Sequence, residues 1–389
     1  MSVAKKKSLG TNPLGAKAKG GDPVLREALQ TSARASREEP ARTAIVLSGR
    51  GAEAAFEVGV LAGLAATSGF DAQVLTGVSV GALNAAVVAA HDGSLAQAAA
   101  KLSGIWLERL ASDAWTGRNG LYRSRGDVRS FLDPRRLPGA VVDILGDGSH
   151  WLRDALNRGA RMVRASDDLA LRMLWLADLS SLLSLEPLAA LVRELVDLNA
   201  LHASRRLLRV SSADWVSGQV EVRDGKALDV RTGHDRIVAA AARPGVFPCV
   251  EIGGRACVDA AAFSPSELGP ALDAGATELH VPVFLATRAD DDRPTSTVDA
   301  LDRVLAELQL TRLQRQLAEL REHAAPPRAV HLYRGRLGPA KSHGFLDLGH
   351  DRIKGLIEHG RQAVSRHDCV ESGCLVRGAA SSLAVQAAR

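Results

Sequence analysis

Aromatic residues are scarce in this sequence and make up only 4% of its 389 residues. A hydrophobic core must therefore be built mainly from alanine, leucine and valine. The hydrophobic fraction of 46% and the charged fraction of 24% are typical of a globular protein. The length is sufficient for one large domain or two ordinary ones, with a sizeable buried core.

Cysteine is also scarce, with four residues in the chain. No pair of cysteines matches a second pair at the spacing of common zinc sites, so the sequence predicts neither a metal site nor a cofactor. We interpret Cys369 and Cys374, near the C-terminus, as incidental. Reduced thiols are the expectation for a cytoplasmic protein.

Long hydrophobic runs are absent as well. No stretch of about 18 apolar residues occurs, so we expect no membrane-spanning helix. The lysines near the N-terminus are not followed by the apolar segment of a signal peptide. These absences favour a cytoplasmic protein whose contact with a membrane is peripheral, at the surface.

Excess positive charge is confined to the N-terminal segment. The net charge is +5, and residues 1–42 hold nine lysines and arginines against four acidic residues, which accounts for all of it. We therefore expect no nucleic-acid groove in the folded part. Residues 1–40 are interpreted as a solvated, disordered tail, with attraction to anionic lipid as the alternative.

The first patterned residues predict the start of a parallel α/β sheet. A short apolar strand over residues 43–47 precedes a glycine-rich turn and a helix over residues 52–66. A second strand over residues 73–76 leads through a tight turn into an alanine-rich helix over residues 82–90. Alternation of strands and helices in this order is typical of a mostly parallel sheet flanked by helices.

Residues 95–200 look mostly helical, and we predict that they form a helical cap inserted before the later strands. The predicted main folded domain covers residues 41–367, and residues 368–389 are interpreted as a C-terminal tail. The remaining strand patterns fall at residues 207–212, 219–223, 250–252, 256–258, 279–285 and 329–333. The remaining helix patterns fall at residues 235–242, 298–320 and 351–366.

A G-x-S-x-G motif stands between the second strand and its helix. Ser79 is its centre, and Gly77 and Gly81 flank it. A serine on a sharp strand-to-helix turn projects its hydroxyl into the open, and the glycines leave room for neighbouring backbone. The motif therefore predicts a nucleophile elbow.

A glycine-rich turn follows the first strand, 28 residues before Ser79. It consists of Gly49, Arg50, Gly51 and Ala52. Adjacent parallel strands end on the same edge of a sheet, so the N–H groups of this turn are candidates for an oxyanion hole above Ser79. Neither a Walker pattern nor G-x-G-x-x-G is present, which argues against a phosphate-binding loop.

These motifs, with a later Val258-Asp259-Ala260-Ala261 segment, resemble the patatin-like phospholipases in order and spacing over residues 43–366. That family has a G-G-G-x-R-G loop, a G-x-S-x-G elbow and a D-G-G or D-G-A motif. The resemblance implies a patatin-like α/β fold and a catalytic dyad of Ser79 and Asp259. It also implies hydrolysis of an acyl ester in a phospholipid or lysophospholipid through an acyl-enzyme, without metal or cofactor.

The chain departs from the family pattern at several positions. Arg50 replaces the middle glycine of the loop, and Glu53 stands where the family has arginine. Ala260 replaces the glycine after the aspartate. We expect strain from the added Cβ atoms and an unfavourable negative charge at Glu53. The alternative function is therefore a catalytically weak or inactive patatin-like protein that binds lipid or a protein.

A conventional triad is a second alternative. It requires a histidine beside Ser79, and His280, His343 and His350 are the candidates. An α/β-hydrolase places more strands before its nucleophile than the two seen here, which favours the dyad.

Overall fold

The structure is a computed structural model, and it describes eight stretches of the chain. These are residues 42–113, 118–124, 149, 183–264, 268–286, 297–322, 326–337 and 344–376. The predicted tail over residues 1–40 and most of the predicted cap lie outside them. Among the described helices, none has both the length and the apolar composition needed to cross a membrane.

Nine strands form one mixed sheet, in the order β11-β10-β9-β1-β2-β5-β8-β7, with β6 pairing to β5. Strands β10, β9, β1, β2 and β5 are parallel to one another. Strand β11 pairs antiparallel with β10, β6 and β8 pair antiparallel with β5, and β7 pairs antiparallel with β8. The strands are β1 (Arg42–Leu47), β2 (Val74–Gly77), β5 (Leu207–Asp214), β6 (Val220–Asp224), β7 (Val250–Ile252), β8 (Arg255–Asp259), β9 (Ala276–Ala286), β10 (Ala329–Leu337) and β11 (Leu375–Val376). A separate short pair consists of β3 (Arg123–Ser124) and β4 (Leu183–Ser184).

Helices connect these strands and cover the sheet. In chain order they are α1 (Ala54–Ala65), α2 (Gly81–Ala89), α3 (Leu95–Ile105), α4 (Glu186–Leu195), α5 (Leu198–Ala203), α6 (Gly233–Ala241), α7 (Gly269–Asp273), α8 (Thr297–Glu322), α9 (His350–Ser365) and α10 (Cys369–Ser372). Short 3-10 turns follow β1 and β8, at Gly51–Glu53 and Ala260–Ala262.

Strand β1 lies at the centre of the sheet and shows how the layers are built. Ile45 and Leu47 pack into a core formed with α1, α2, α3 and α9. Ala44 and Val46 point to the opposite face and pack with α7 and α8. Because successive strand residues point to opposite faces, a central strand buried on both sides is apolar throughout.

The sequence prediction of an α/β fold with a mostly parallel sheet is confirmed. The folded part also continues beyond residue 367, where the sequence placed the start of a tail. Helix α10 and strand β11 lie in that segment, and β11 pairs with β10. Their short lengths gave no periodic signal in the sequence.

Candidate active site

Ser79 lies on the turn between β2 and α2, as the elbow motif predicted. Its φ angle is 53°, and among the described residues it is the only non-glycine residue with a positive φ. Left-handed backbone is unfavourable for a residue with a Cβ, and such outliers cluster at functional sites. Ser79 is 2% exposed.

The flanking glycines are required by close backbone contacts. A Cβ at Gly77 would lie 2.5 Å from Cα of Ala82, and one at Gly81 would lie 2.3 Å from the carbonyl oxygen of Leu47. Gly81 therefore permits the end of β1 to approach the elbow, which brings the oxyanion candidate loop next to Ser79.

Strand β5 brings the ends of β2 and β8 together. Gly77, the last residue of β2, pairs with Val210, and Asp259, the last residue of β8, pairs with Ser212. Strand β6 occupies one edge of this stretch of β5. Strands β2 and β8 therefore both pair with the other edge of β5, one after the other along it. Ser79 is two residues beyond Gly77, as Ser212 is beyond Val210, and it therefore reaches the level of Asp259.

The Asp259 side chain is buried and held by backbone. Its Oδ1 accepts a hydrogen bond of 2.8 Å from the N–H of Ala261, at the start of the 3-10 turn. A hydrogen bond from the Ser79 hydroxyl lowers the pKa of the Asp259 carboxylate. Among the described residues, Oδ2 has no hydrogen-bond partner that meets the usual limits of distance and angle. The Asp259 carboxylate therefore has a backbone donor on Oδ1 and, among the described residues, none on Oδ2.

The electrostatic environment of Asp259 makes it more basic. Burial raises the pKa of Asp259, and the charge of Arg243, the N–H of Ala261 and the Ser79 hydroxyl offset part of that rise. A raised pKa makes this carboxylate a stronger base toward a neighbouring hydroxyl.

Arg243 is a site residue that the sequence did not single out. It lies on the turn after α6, only 4% exposed, and its guanidinium lies 4.2 Å from the centre of the Phe345 ring. Its own neighbour in the turn, Ala242, accepts a 2.9 Å hydrogen bond from the N–H of Asp259. An Arg-Pro-Gly turn gives no signal that its arginine faces an aspartate 16 residues later.

The loop after β1 has two left-handed residues, and both are glycines. Gly49 has a φ of 39° and Gly51 a φ of 52°. Arg50 has a φ of −126°, so the prediction of strain at Arg50 is wrong. Ala260 also avoids positive φ, and the prediction of a strained turn after Asp259 is wrong for the same reason.

The loop N–H groups are not equally available. Gly49 donates to Oε1 of Glu57 at 2.7 Å, and Ala52 donates to the carbonyl of Phe345 at 2.8 Å. For Arg50 and Gly51, no N–H partner is found among the described residues. Within the predicted set, the N–H groups of Arg50 and Gly51 are therefore the remaining candidates for oxyanion donors.

A buried network of four charges supports the loop. Arg50 contacts Glu53 at 2.8 Å and Asp302 of α8 at 3.1 Å. Asp302 also accepts from Arg243 at 2.9 Å, so one carboxylate joins the loop to the turn that faces Asp259. Burial raises the pKa of Glu53, and the charge of Arg50 lowers it. The expected negative charge at Glu53 is therefore matched by a guanidinium beside it.

Glu57 and Asn84 form a second support that the sequence did not reveal. Asn84 donates to the carbonyl of Ala54 at 3.2 Å and lies 3.5 Å from Oε2 of Glu57. It also accepts from the indole of Trp106 at 2.8 Å. Glu57 and Asn84 differ from ordinary polar residues on a helix surface because they are buried. Burial of a single polar residue cannot be seen in the sequence.

The candidate triad histidines lie elsewhere. His280 is bonded through Nδ1 to the hydroxyl of Tyr333 at 2.9 Å, and burial lowers its pKa to about 3. His350 begins α9 and lies 3.9 Å from Asp351, and His343 lies outside the described residues. The partners found for His280 and His350 are thus residues other than Ser79 and Asp259.

Comparison with known proteins gives a family match. The family model described as patatin-like phospholipase matches residues 45–272, more than half of the chain. No curated protein sequence is significantly similar to this chain. Among solved structures, VipD from Legionella pneumophila is similar with a TM-score of 0.38 and 13% identity, over 84% of this chain and 67% of that one.

Proposed function

Because the chain belongs to the patatin-like phospholipase family, we propose that it is a lipid acyl hydrolase in which Ser79 is the nucleophile and Asp259 its acid–base partner. The observation that carries this proposal is a strained, buried serine beside a buried carboxylate whose pKa is raised by burial. A raised pKa makes Asp259 a stronger base toward the serine hydroxyl.

In the first half of the proposed cycle, Asp259 takes the proton of Ser79 Oγ as Oγ attacks the ester carbonyl. The tetrahedral intermediate collapses, Asp259 gives the proton to the departing alcohol, and the acyl group remains on Ser79. In the second half, Asp259 takes a proton from water as the water oxygen attacks the acyl ester. The fatty acid leaves, and Ser79 Oγ regains the proton from Asp259.

The negative charge of the intermediate requires donors close to Ser79. The N–H groups of Arg50 and Gly51 are free of other partners among the described residues, and they belong to the loop that Gly81 allows to approach the elbow. Loss of one such donor typically lowers kcat by about 10²–10³-fold. The ion pair with Arg50 offsets the negative charge of Glu53, which would otherwise oppose the negative charge of the intermediate.

The proposed substrate is a phospholipid or lysophospholipid. The family description names phospholipases. An ester of glycerol also suits a two-residue site, because its alkoxide accepts a proton readily from a carboxylic acid and needs no imidazolium donor. The proposed cycle uses neither a metal nor a cofactor.

Contact with a lipid surface is supported by exposed apolar residues near Asp259. Trp215 and Val216 follow β5 and are 51% and 87% exposed. The Trp215 ring packs edge-to-face on Phe263, at 6.1 Å between centroids. Phe263 ends the turn after Asp259, so this patch flanks the proposed site. Tryptophan favours the interface between lipid and water.

The direct test is covalent trapping. A fluorophosphonate should label the wild-type chain at Ser79, and Ser79→Ala should lose both the label and the hydrolysis of p-nitrophenyl butyrate and lysophosphatidylcholine. Ser103→Ala is the matched control, because Ser103 is also buried and donates to the carbonyl of Ala99 in its own helix. It should retain labelling and turnover.

The outcomes separate the alternatives. Labelling of another serine, or full turnover by Ser79→Ala, refutes the assignment of the nucleophile. A folded wild-type protein that neither labels nor hydrolyses any of these esters supports the non-catalytic alternative, which lipid binding to vesicles would then test.

A further inference from the structure

Four potential metal ligands meet at the edge of the sheet. His331 lies on β10, His367 follows α9, Cys369 begins α10, and Cys374 precedes β11. One ligand atom from each lies within 4.8 Å of all the others. All four side chains are half-buried. We refer to these four residues as the His331 cluster.

Three ligand-to-ligand distances inside the His331 cluster match those of a tetrahedral site. Sγ of Cys369 lies 3.5 Å from Nδ1 of His331 and 3.4 Å from Nε2 of His367. Sγ of Cys374 lies 3.6 Å from the same Nε2. With zinc–sulfur bonds of about 2.3 Å and zinc–nitrogen bonds of about 2.0–2.1 Å, tetrahedral geometry places sulfur and nitrogen about 3.5 Å apart.

Two of the four side chains have polar neighbours that orient them toward the centre of the cluster. The N–H of Leu332 points to Sγ of Cys374 at 3.2 Å, as expected beside a thiolate acceptor. His331 presents Nδ1 to the cluster, while its Nε2 lies 3.7 Å from Oε1 of Glu278. A carboxylate behind the second nitrogen fixes the orientation of a metal-bound imidazole.

From this geometry we propose that the His331 cluster is a structural zinc site. Two thiolates and two imidazoles are a common ligand set for tetrahedral Zn²⁺, and four protein ligands leave no position open for a substrate. Binding replaces the two thiol protons, which are released to solvent. The proposal does not depend on the proposed hydrolase activity.

The position of the site indicates what the metal does. His331 belongs to the sheet, and the other three ligands belong to the segment that ends in β11, the strand that covers β10. The zinc ion therefore fastens this C-terminal segment to the edge of the sheet. The site lies beyond β9 and β1 from β2, so it is separate from Ser79.

The site was not predicted from the sequence, because zinc sites are recognised there by two close pairs of ligands and these four residues do not form two such pairs. Cys369 and Cys374 are five residues apart, and His331 comes from a strand 38 residues before Cys369. Only the antiparallel return of β11 along β10 brings them together. The cysteines that looked incidental are thus the best candidates for a function outside the catalytic region.

The first test uses the full-length wild-type protein, purified with reductant and without chelator. We expect about one zinc ion per chain by elemental analysis after desalting, and X-ray absorption with two sulfur and two nitrogen neighbours at about 2.3 Å and 2.0–2.1 Å. Replacement by Co²⁺ should give thiolate-to-cobalt and tetrahedral d–d bands. Protein that is free of zinc, and that gains neither zinc nor these bands on addition of metal, overturns the proposal.

A second test separates zinc from a disulfide between Cys369 and Cys374. Both thiols should resist alkylation in the metal-loaded protein and react after addition of a chelator alone. If they react only after addition of a reductant, they form a disulfide and the zinc site is refuted. This measurement needs no variant and is independent of any effect on folding.

The third test compares matched cysteine variants. Cys369→Ser and Cys374→Ser should each lower bound zinc at least tenfold in a competition with a chelator and lower the Tm. Cys249→Ser is the control, since Cys249 is an exposed free thiol outside the cluster, and it should keep the metal. Unchanged zinc affinity in both cluster variants contradicts the proposal.

Discussion

Ser79 has a backbone conformation that costs a residue with a Cβ on the order of 1–3 kcal/mol. It persists because Gly77 and Gly81 let the chain close tightly around it, against Ala82 and the end of β1. The same turn directs the hydroxyl toward Asp259. The local strain and the placement of the proposed nucleophile are thus two consequences of one turn.

Arg243 tunes Asp259 through charge, because its guanidinium lowers a pKa that burial raises. The proposed base must be ionised to accept the serine proton. Activity therefore requires a pH above the pKa of Asp259, and any change that raises this pKa moves the acid limb of the pH profile upward.

Arg243→Gln should shift the acid limb of kcat/KM for p-nitrophenyl butyrate to higher pH, with a smaller loss at alkaline pH. Arg255→Gln is the control, because Arg255 lies on the same strand as Asp259 but is bonded to Glu221 at the surface. Circular dichroism at each pH checks that both variants are folded. An acid limb that moves to lower pH, or does not move, contradicts this role of Arg243.

Sequence motifs predicted the two proposed reacting residues, but not their surroundings. Ser79 and Asp259 are visible because each occupies a short motif. Whether Arg50 strains the loop depends on its φ angle. Whether the charge of Glu53 is unfavourable depends on its ion pair with Arg50. The third member of that network, Asp302, is 252 residues from Arg50, which no local pattern could indicate.

At the level of elements, α8 connects two parts of the candidate site. Its residue Asp302 contacts Arg50 in the loop after β1 and Arg243 in the turn after α6. Removing one partner from a buried ionic network is costly, because it leaves the remaining charges desolvated and unpaired.

Asp302→Asn should lower the free energy of unfolding by on the order of 3 kcal/mol. It should also slow fluorophosphonate labelling of Ser79, because the oxyanion loop loses its anchor. Glu319→Gln on the same helix removes an i,i+4 pair with Arg315, whose side chain is 67% exposed, and should cost less than about 1 kcal/mol. Urea denaturation measures the stabilities. Equal effects of the two substitutions would show that Asp302 does not anchor the loop.

The elements themselves were well predicted where their patterns were long. The central strands, α1, α2, α8 and α9 agree with the sequence prediction to within a few residues. The order of strands in the sheet was not predictable, since it depends on which edges pair. The close approach of β8 to β2 through β5 is the clearest example, and it brings Asp259 to Ser79.

Across the whole molecule, the sheet carries two separate candidate sites. The elbow and Asp259 lie where β2 and β8 end, whereas the His331 cluster lies near the sheet edge formed by β10 and β11. The overall class of fold followed from alternating patterns in the sequence. The His331 cluster could not be predicted from such patterns, because its residues come together only when the C-terminal segment returns to the sheet.

Contact of the whole molecule with lipid should depend on Trp215. Trp215→Ala should lower hydrolysis of phospholipid in vesicles several-fold and leave hydrolysis of p-nitrophenyl butyrate unchanged. Val230→Ala is the control, because Val230 is an equally apolar residue, 72% exposed, before α6. It should leave both rates unchanged. If Trp215→Ala reduces both rates alike, Trp215 supports the site rather than the contact with lipid.

The central claim is that Ser79 and Asp259 act as one catalytic unit. The most direct measurement is kcat/KM for lysophosphatidylcholine in Ser79→Ala, Asp259→Asn and the double variant, each shown to be folded. Residues that act together give non-additive losses. The account predicts that each single substitution removes nearly all activity and that the double variant is no slower than either. Losses that multiply, or an active Asp259→Asn protein, would contradict it.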